Sequence, residues 1–270
     1  LAWRQLVSKA KTSTFDPQTT CSLLFCNHGR VENLINLCGV TSDEIGQITR
    51  FYGELDAYAS LAQLYLDHQN TKNHLNEKIT YCLADLRDNQ QISMLNAKNF
   101  WHPIIPTDRV RPSSLQLGGP DNRARDLVIT GPNAGGKSVN LKAIFVNLIL
   151  AQSCGLACAE ELSFTPFKKL IGRFRGVDDI TNDKSKFMLE AIEMAGLLKE
   201  MMSLKPREHA LVETDELFTG TEIAPAISLS IELCTQIAQM KNVIYILATH
   251  YEQLTDLSMI TGGIFTNYKV

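Results

Sequence analysis

The sequence predicts an α/β fold: a mainly parallel β-sheet flanked by helices, preceded by a helical segment. Three observations carry this. First, Asp126-Leu127-Val128-Ile129-Thr130 reads as a short apolar strand that runs directly into Gly131-Pro132-Asn133-Ala134-Gly135-Gly136-Lys137-Ser138, with a helix-like stretch from Val139 to Leu150 behind it. Second, His209 to Glu216 reads as a buried strand ending in two acids, Asp215 and Glu216. Third, strand and helix patterns alternate from there to the end of the chain, as in a parallel sheet covered on both faces.

Taken in order, residues 1–20 are polar and read as irregular or partly helical. From Thr41 the character changes. Leu55, Tyr58, Leu61 or Ala62, and Tyr65 recur at helical spacing, and so do Leu75, Ile79, Cys82 or Leu83, and Leu86. Thr41-Ser42-Asp43-Glu44 supplies N-cap candidates. Gln69-Asn70-Thr71 marks either a break between two helices or a polar patch on one; we expect a helical hairpin with one packed face. His102-Pro103-Ile104-Ile105-Pro106 and Arg111-Pro112 fit extended, edge-like segments. Gly118-Gly119-Pro120-Asp121-Asn122 reads as a turn between strands. Later strands are expected at Asn242–Ile246 and Ile264–Val270.

Composition is that of an ordinary globular protein, with 44% hydrophobic and 20% charged residues. The formal net charge of −3 excludes a strong global field toward nucleic acid, and residues 1–100 carry 9 basic and 10 acidic side chains. The seven cysteines are odd in number and lack the paired spacing of a zinc site, and free thiols suggest a reducing compartment. Cys154 and Cys158 read as small core residues on one helix. No stretch approaches the length of a membrane span, so no membrane partner is expected. A cytoplasmic location is expected, or a nuclear one in a eukaryote. The chain starts at Leu1 and closes on a strand, as expected of a fragment of a longer protein.

The chemistry is concentrated at the glycine loop. The pattern G-x-x-x-x-G-K-[ST], between a strand and a helix, aims backbone N–H groups and a helix N-terminus at one point. That point attracts the phosphates of a nucleotide. On this pattern Lys137 reaches the β- and γ-phosphates and the Ser138 hydroxyl ligates Mg²⁺. Gly131, Gly135 and Gly136 let the backbone approach the anion. Pro132, Asn133, Ala134 and Val139 complete the cradle, and Asn133 can add a side-chain contact. Asp215, at the tip of a parallel strand, is the candidate that holds Mg²⁺ through a water. Glu216 is then placed to orient or deprotonate the attacking water. His250, in Leu247-Ala248-Thr249-His250-Tyr251, is a candidate sensor of the γ-phosphate. Glu213 interrupts the apolar run of its strand, and its place there has no explanation in the sequence.

These blocks together resemble a known family. Thr130 to Ser138 is similar to the phosphate loop of the MutS DNA mismatch repair ATPases, including the Gly-Pro-Asn start and the double glycine. Val177-Asp178-Asp179-Ile180 followed by Ser185-Lys186-Phe187-Met188-Leu189-Glu190 resembles the family's Asp-Asp segment and its Ser-x-Phe-x-x-Glu loop. Asp215-Glu216-Leu217 with Gly220-Thr221 resembles Asp-Glu-Leu-x-x-Gly-Thr, and Ala248-Thr249-His250-Tyr251 resembles Ala-Thr-His-Tyr. The resemblance covers residues 100–268 and implies an ABC-type phosphate-loop ATPase domain over 100–270. For residues 1–99 it implies a fragment of the family's helical core and lever. It further implies a homo- or heterodimer through the ATPase domain, in which Ser185 of one subunit completes the other's site, and DNA as a partner of the full-length protein.

The departures are specific. Phe218-Thr219 stands where the family usually has Gly-Arg, Asn182-Asp183-Lys184 replaces a small-residue run with Gly-Gln, and Lys186 replaces a threonine. Asn182 or Asp183 can cap a helix with Phe187, Met188 and Ala191 turned inward. Val110 and Pro112 lie where the family often has an aromatic and a proline, which implies weaker stacking on the base. The family's mismatch-reading Phe-x-Glu module is not found in the chain. The expected function is ATP hydrolysis, DNA-dependent in the full protein, coupled to dimer conformation and to binding of mismatched or structured DNA. The alternatives are a non-hydrolysing ATP-dependent dimerisation switch and another ABC-type ATPase, although a Leu-Ser-Gly-Gly-Gln loop is absent.

Overall fold

A computed structural model describes residues 42–69, 71–88, 90–120, 122–132, 136–174, 183–218 and 222–269. Contacts divide the chain between Gln63 and Leu64. Helix α1 (Ser42–Asp67) opens with Asp43 and Glu44 in its first turn, where carboxylates favour the positive end of the helix dipole. The first helix of the expected hairpin forms, but the face expected to pack does not: Leu55 and Tyr58 are exposed. At its end the side chains of His68 and Gln69 donate to the carbonyls of Leu64 and Tyr65, at 3.0 and 3.1 Å, satisfying groups that the last turn leaves open.

The second expected helix does not form. Asn73 redirects the chain: its side-chain oxygen accepts from the N–H groups of Leu75 (3.0 Å) and Glu77 (2.8 Å), and its amide donates to the Val110 carbonyl (2.8 Å). Such local bonds compete with helix formation. Asn76 follows in the left-handed region. Short strands β1 (Cys82–Leu83) and β2 (Asp85–Leu86) come next. The apolar spacing that mimicked a helix instead sends Ile79 into a small core with Trp101, Val110 and Cys158.

Strand β3 (Met94–Phe100) pairs antiparallel with β4 (Ser113–Gly118), and residues 102–109 between them are turns rather than extended segments. The expected domain boundary at 99/100 thus falls on the last residue of β3, inside one hairpin. Gly118 turns the chain at φ 65, and a Cβ there would lie 1.9 Å from the Ser93 carbonyl oxygen, so only glycine fits. Next come β5 (Asp126–Thr130), helix α2 (Lys137–Cys154), β6 (Leu156–Ala157), β7 (Glu161–Phe164) and β8 (Phe167–Arg173). They are followed by α3 (Asp183–Met202), β9 (His209–Asp215), α4 (Ile223–Ala238), β10 (Val243–Thr249), a 3₁₀ turn (Glu252–Asp256), α5 (Leu257–Ile260) and β11 (Phe265–Lys269).

A five-stranded sheet runs in the order β11-β5-β10-β9-β8, every pair parallel, as expected. A second sheet, β2-β7-β3-β4, was not expected, because its strands are short and separated by turns. The buried side of α2, through Leu141, Ile144 and Leu148, shares one core with Leu95, Leu117 and Phe164 of the second sheet and with Ile129, Leu211 and Ile246 of the first. The opposite face of the parallel sheet packs Val128, Val212 and Tyr245 against Met194 and Leu197 of α3 and Leu233 and Ile237 of α4. Cys154 ends α2 and Cys158 lies beyond β6, so the two cysteines do not share a helix.

Two buried polar anchors fix the sheet away from its C-terminal edge. Arg125 and Asp126 pair at 3.0 Å, and Asp126 accepts the Tyr245 N–H at 3.0 Å while Arg125 donates to the Ala238 carbonyl at 2.8 Å. Burial outweighs Arg125 and pushes the Asp126 carboxyl up to about 6. At the start of β9, His209 Nε2 donates to the Gln90 carbonyl (3.2 Å) and its Nδ1 shares a hydrogen bond with the Ser93 hydroxyl (2.8 Å). Burial pulls its pKa below the ordinary value. A histidine held neutral stabilises the fold fully above about pH 6.5, and that contribution is lost as pH falls. The difference in urea midpoint between wild type and His209→Gln should therefore shrink from pH 7.5 to pH 5; a difference independent of pH would show that His209 is not the titrating group.

Candidate functional site

Parallel pairing brings the candidate residues to one edge. Thr249 is in register with Thr130, and Ala248 with both Ile129 and Asp215. The ends of β5, β10 and β9 are therefore level, with β10 in the middle. Beyond β5 the chain passes Gly131 and Pro132, reaches Gly136 at φ 95, and enters α2 at Lys137. Asn133, Ala134 and Gly135 lie outside the described residues.

Lys137 is buried. Its ammonium donates to the carbonyls of Gly131 (2.6 Å) and Pro132 (3.1 Å), so it folds back over the loop that precedes it. Ser138 is half-buried, and its hydroxyl donates to Asp215 Oδ2 at 2.5 Å. This bond ties the first turn of α2 to the tip of β9 across 77 residues of chain. Val139, one residue on, is exposed.

At Glu216 the backbone turns left-handed, with φ 59, while its N–H still donates to the Ala248 carbonyl at 2.8 Å. The turn sends the Glu216 side chain away from the line of β9 and toward β10. Its Oε1 lies 3.5 Å from His250 Nδ1. His250 is half-exposed, with its ring 4.2 Å from that of Tyr251. An open cleft of about 780 Å³ lies at this edge, lined by Thr130, Gly131, Pro132, Glu216, His250, Glu252, Thr255 and Lys269. The sequence reading missed the last three. Lys269 reaches the cleft because β11 pairs with β5 and sets it level with Thr130, a long-range placement that no local pattern announces.

Asp215, Glu216, Ser138, Lys137 and His250 are thus gathered at one edge. The Asp178-Asp179 and Gly220-Thr221 blocks lie outside the described residues. Ser185 is in the first turns of α3, with its side chain outside the described set. Phe187 and Ala191 pack inward as expected, but Met188 is 60% exposed, because the buried face of α3 continues through Met194 and Leu197. Val110 is buried in the small core with Trp101 and offers no face to a base.

A family model described as MutS domain V matches residues 127–268, just over half of the chain. The chain belongs to the MutS family. Among similar curated proteins, the DNA mismatch repair protein MutS of Caldicellulosiruptor saccharolyticus is 30% identical over 80% of this chain and 23% of its own length. MutS of Synechococcus elongatus is 29% identical over 70% of the chain and 21% of its own length. Endonuclease MutS2 of Shouchella clausii is 28% identical over 88% and 30%. The chain therefore spans less than a third of the length of these MutS-family relatives. Among the described residues no helix is long and apolar enough to cross a membrane.

Glu213 acquires a setting. It lies on β9 between Ile246 and Gly172, fully buried, and neither carboxyl oxygen has a hydrogen-bond partner. Desolvation raises its pKa well above the ordinary value. A buried polar group without a partner destabilises by about 1–3 kcal/mol. Glu213→Leu should raise the free energy of unfolding by that order in urea titrations. A loss of stability instead would mean that Glu213 is satisfied in solution.

Proposed function

We propose that this chain is the ATP-binding and hydrolysing ABC-type domain of a MutS-like DNA-processing protein, with hydrolysis coupled to dimer conformation and DNA binding. The single observation that carries the reading is the Ser138–Asp215 hydrogen bond, 2.5 Å long, beside a buried lysine at a helix N-terminus. A hydroxyl and a carboxylate brought together at the end of a glycine loop form an oxygen donor pair suited to Mg²⁺ that is also held by nucleotide phosphates.

In this reading the loop 131–139 cradles the phosphates with its backbone N–H groups and the N-terminus of α2. Lys137 exchanges the carbonyls of Gly131 and Pro132 for phosphate oxygens of ATP. Those two carbonyls hold its charge in place beforehand, so little reorganisation is needed when the nucleotide enters. Ser138 and Asp215 would hold Mg²⁺, which when bound offsets the charge of the β- and γ-phosphates. Glu216 accepts a proton from the attacking water, and its left-handed backbone keeps the carboxylate at the mouth of the cleft. His250, 3.5 Å from Glu216, orients that carboxylate and senses the γ-phosphate.

The dimer and DNA belong to the same proposal. Ser185, from the loop that resembles the family's trans-acting segment, completes the site of a second subunit. ATP then joins two subunits and hydrolysis releases them, which turns phosphate chemistry into a conformational signal. The names of the relatives, mismatch repair protein and endonuclease, support DNA as the partner of the full-length protein.

ATP hydrolysis measured against protein concentration tests this. Turnover should rise more than linearly, and Lys137→Ala should lower it by about 10²–10³-fold, the scale of one lost electrostatic contact to the transition state. Glu216→Gln should bind Mg-ATP as wild type does and turn it over at a similarly reduced rate. Normal hydrolysis by Glu216→Gln would remove Glu216 from its assigned role, and tight ATP binding without turnover in the wild type would favour the dimerisation switch.

A further inference from the structure

We infer that Phe218 is a positioning residue of the nucleotide site: its ring fastens helix α3 to the strand end that bears Asp215 and Glu216. This deepens the reading above and rests on it.

The observations begin with the backbone. Glu216 and Phe218 both sit in the left-handed region, at φ 59 and φ 53. For a bulky residue such as phenylalanine this conformation is strained, and it persists only where the surroundings impose it. A glycine would adopt it freely. The surroundings that hold Phe218 are visible. Its ring is only 3% exposed and meets the Phe187 ring edge-on, with centroids 6.0 Å apart and an interplanar angle of 62°. Such aromatic pairs contribute beyond the area that they bury.

Phe187 stands two residues after Ser185 on α3. The helix has a second tether, an ion pair between Glu193 and Arg173. Arg173 ends β8 in register with Thr214, so this tether also reaches the edge where Asp215 and Glu216 lie. Both partners are partly exposed, and such pairs hold a helix weakly. Between the tethers, Met188, Leu189 and Ile192 are exposed. Ala191 packs inward as well, but among the described side chains of α3 Phe187 is the packed one nearest Ser185, so the Phe187–Phe218 contact is the fixed point closest to that serine. Phe218 follows Glu216 by two residues, so a change at Glu216 is transmitted through the ring to the segment that carries Ser185.

Phe218→Gly tests this directly, because it relieves the backbone strain while removing the ring. Phe187→Leu, which keeps an apolar side chain of similar volume, is the second variant should the first fail to fold. In ATPase assays of the purified protein, each substitution should lower kcat by about 10²-fold with KM for Mg-ATP unchanged, the scale of a misplaced reactive group. The double variant should be no slower than the slower single one, since both remove the same contact. Wild-type kcat in a folded Phe218→Gly protein, or two losses that multiply, would overturn the inference. Turnover that survives Lys137→Ala would overturn the nucleotide-site reading itself, and this inference with it.

Discussion

The structure depends on the parallel register of β5, β10 and β9. Parallel strands end at the same edge, so whatever follows each one emerges at the same level. Here the glycine loop follows β5, His250 follows β10, and Asp215 and Glu216 finish β9. These segments are far apart in sequence, and no local interaction would assemble them. A one-residue slip of β9 against β10 would turn Asp215 away from Ser138, because successive side chains on a strand face opposite sides. The buried Thr214–Tyr245 side-chain hydrogen bond, 2.7 Å long, ties β9 to β10 in this register. The 2.5 Å bond between Ser138 and Asp215 is the visible result.

The sheet is anchored by buried polar groups at one end and carries the candidate site at the other. Asp126, Arg125 and Tyr245 close a buried polar network at the N-terminal end of β5, and His209 closes another at the start of β9. At the opposite edge Glu216 and Phe218 are left-handed and Gly136 precedes α2; Asn76, Asn99 and Arg207 are left-handed exceptions elsewhere, Arg207 just before β9. Strained backbone tends to collect at functional sites, where a rigid scaffold holds what the local sequence disfavours. Glu213 belongs with these exceptions. An apolar residue would serve a buried strand better, and nothing in the structure explains the carboxyl.

What could be read in the sequence follows from the range of each signal. The strand before the glycine loop, the helix behind it and the acid-ended strand were legible because each is a local pattern with strong periodicity or glycine placement. The gathering of Lys137, Ser138, Asp215, Glu216 and His250 was legible only because alternating strands and helices imply a parallel sheet. The stretch from Leu75 to Leu86 was misread. Its apolar spacing suits a helix, but Asn73 offers the backbone a better local set of hydrogen bonds, and Ile79 finds its core with Trp101 and Cys158. The second sheet was missed because β2, β7 and β4 are short and find their partners across long stretches of chain.

Phe218 shows how a departure from a familiar pattern acquires meaning only in three dimensions. In the sequence it is a substitution beside two acids. In the structure it is a buried ring on a backbone that favours glycine, set in the core that the sheet shares with α3 and α4, where Phe187 meets it edge-on. The strain and the contact explain each other: without the contact the left-handed backbone would have no reason to keep a phenylalanine, and without that backbone the ring would not point at α3. The strand end and the helix are thereby joined through one ring contact, in which Phe218 stands two residues from the carboxylate proposed for the water and Phe187 two residues from the serine proposed for the partner's nucleotide.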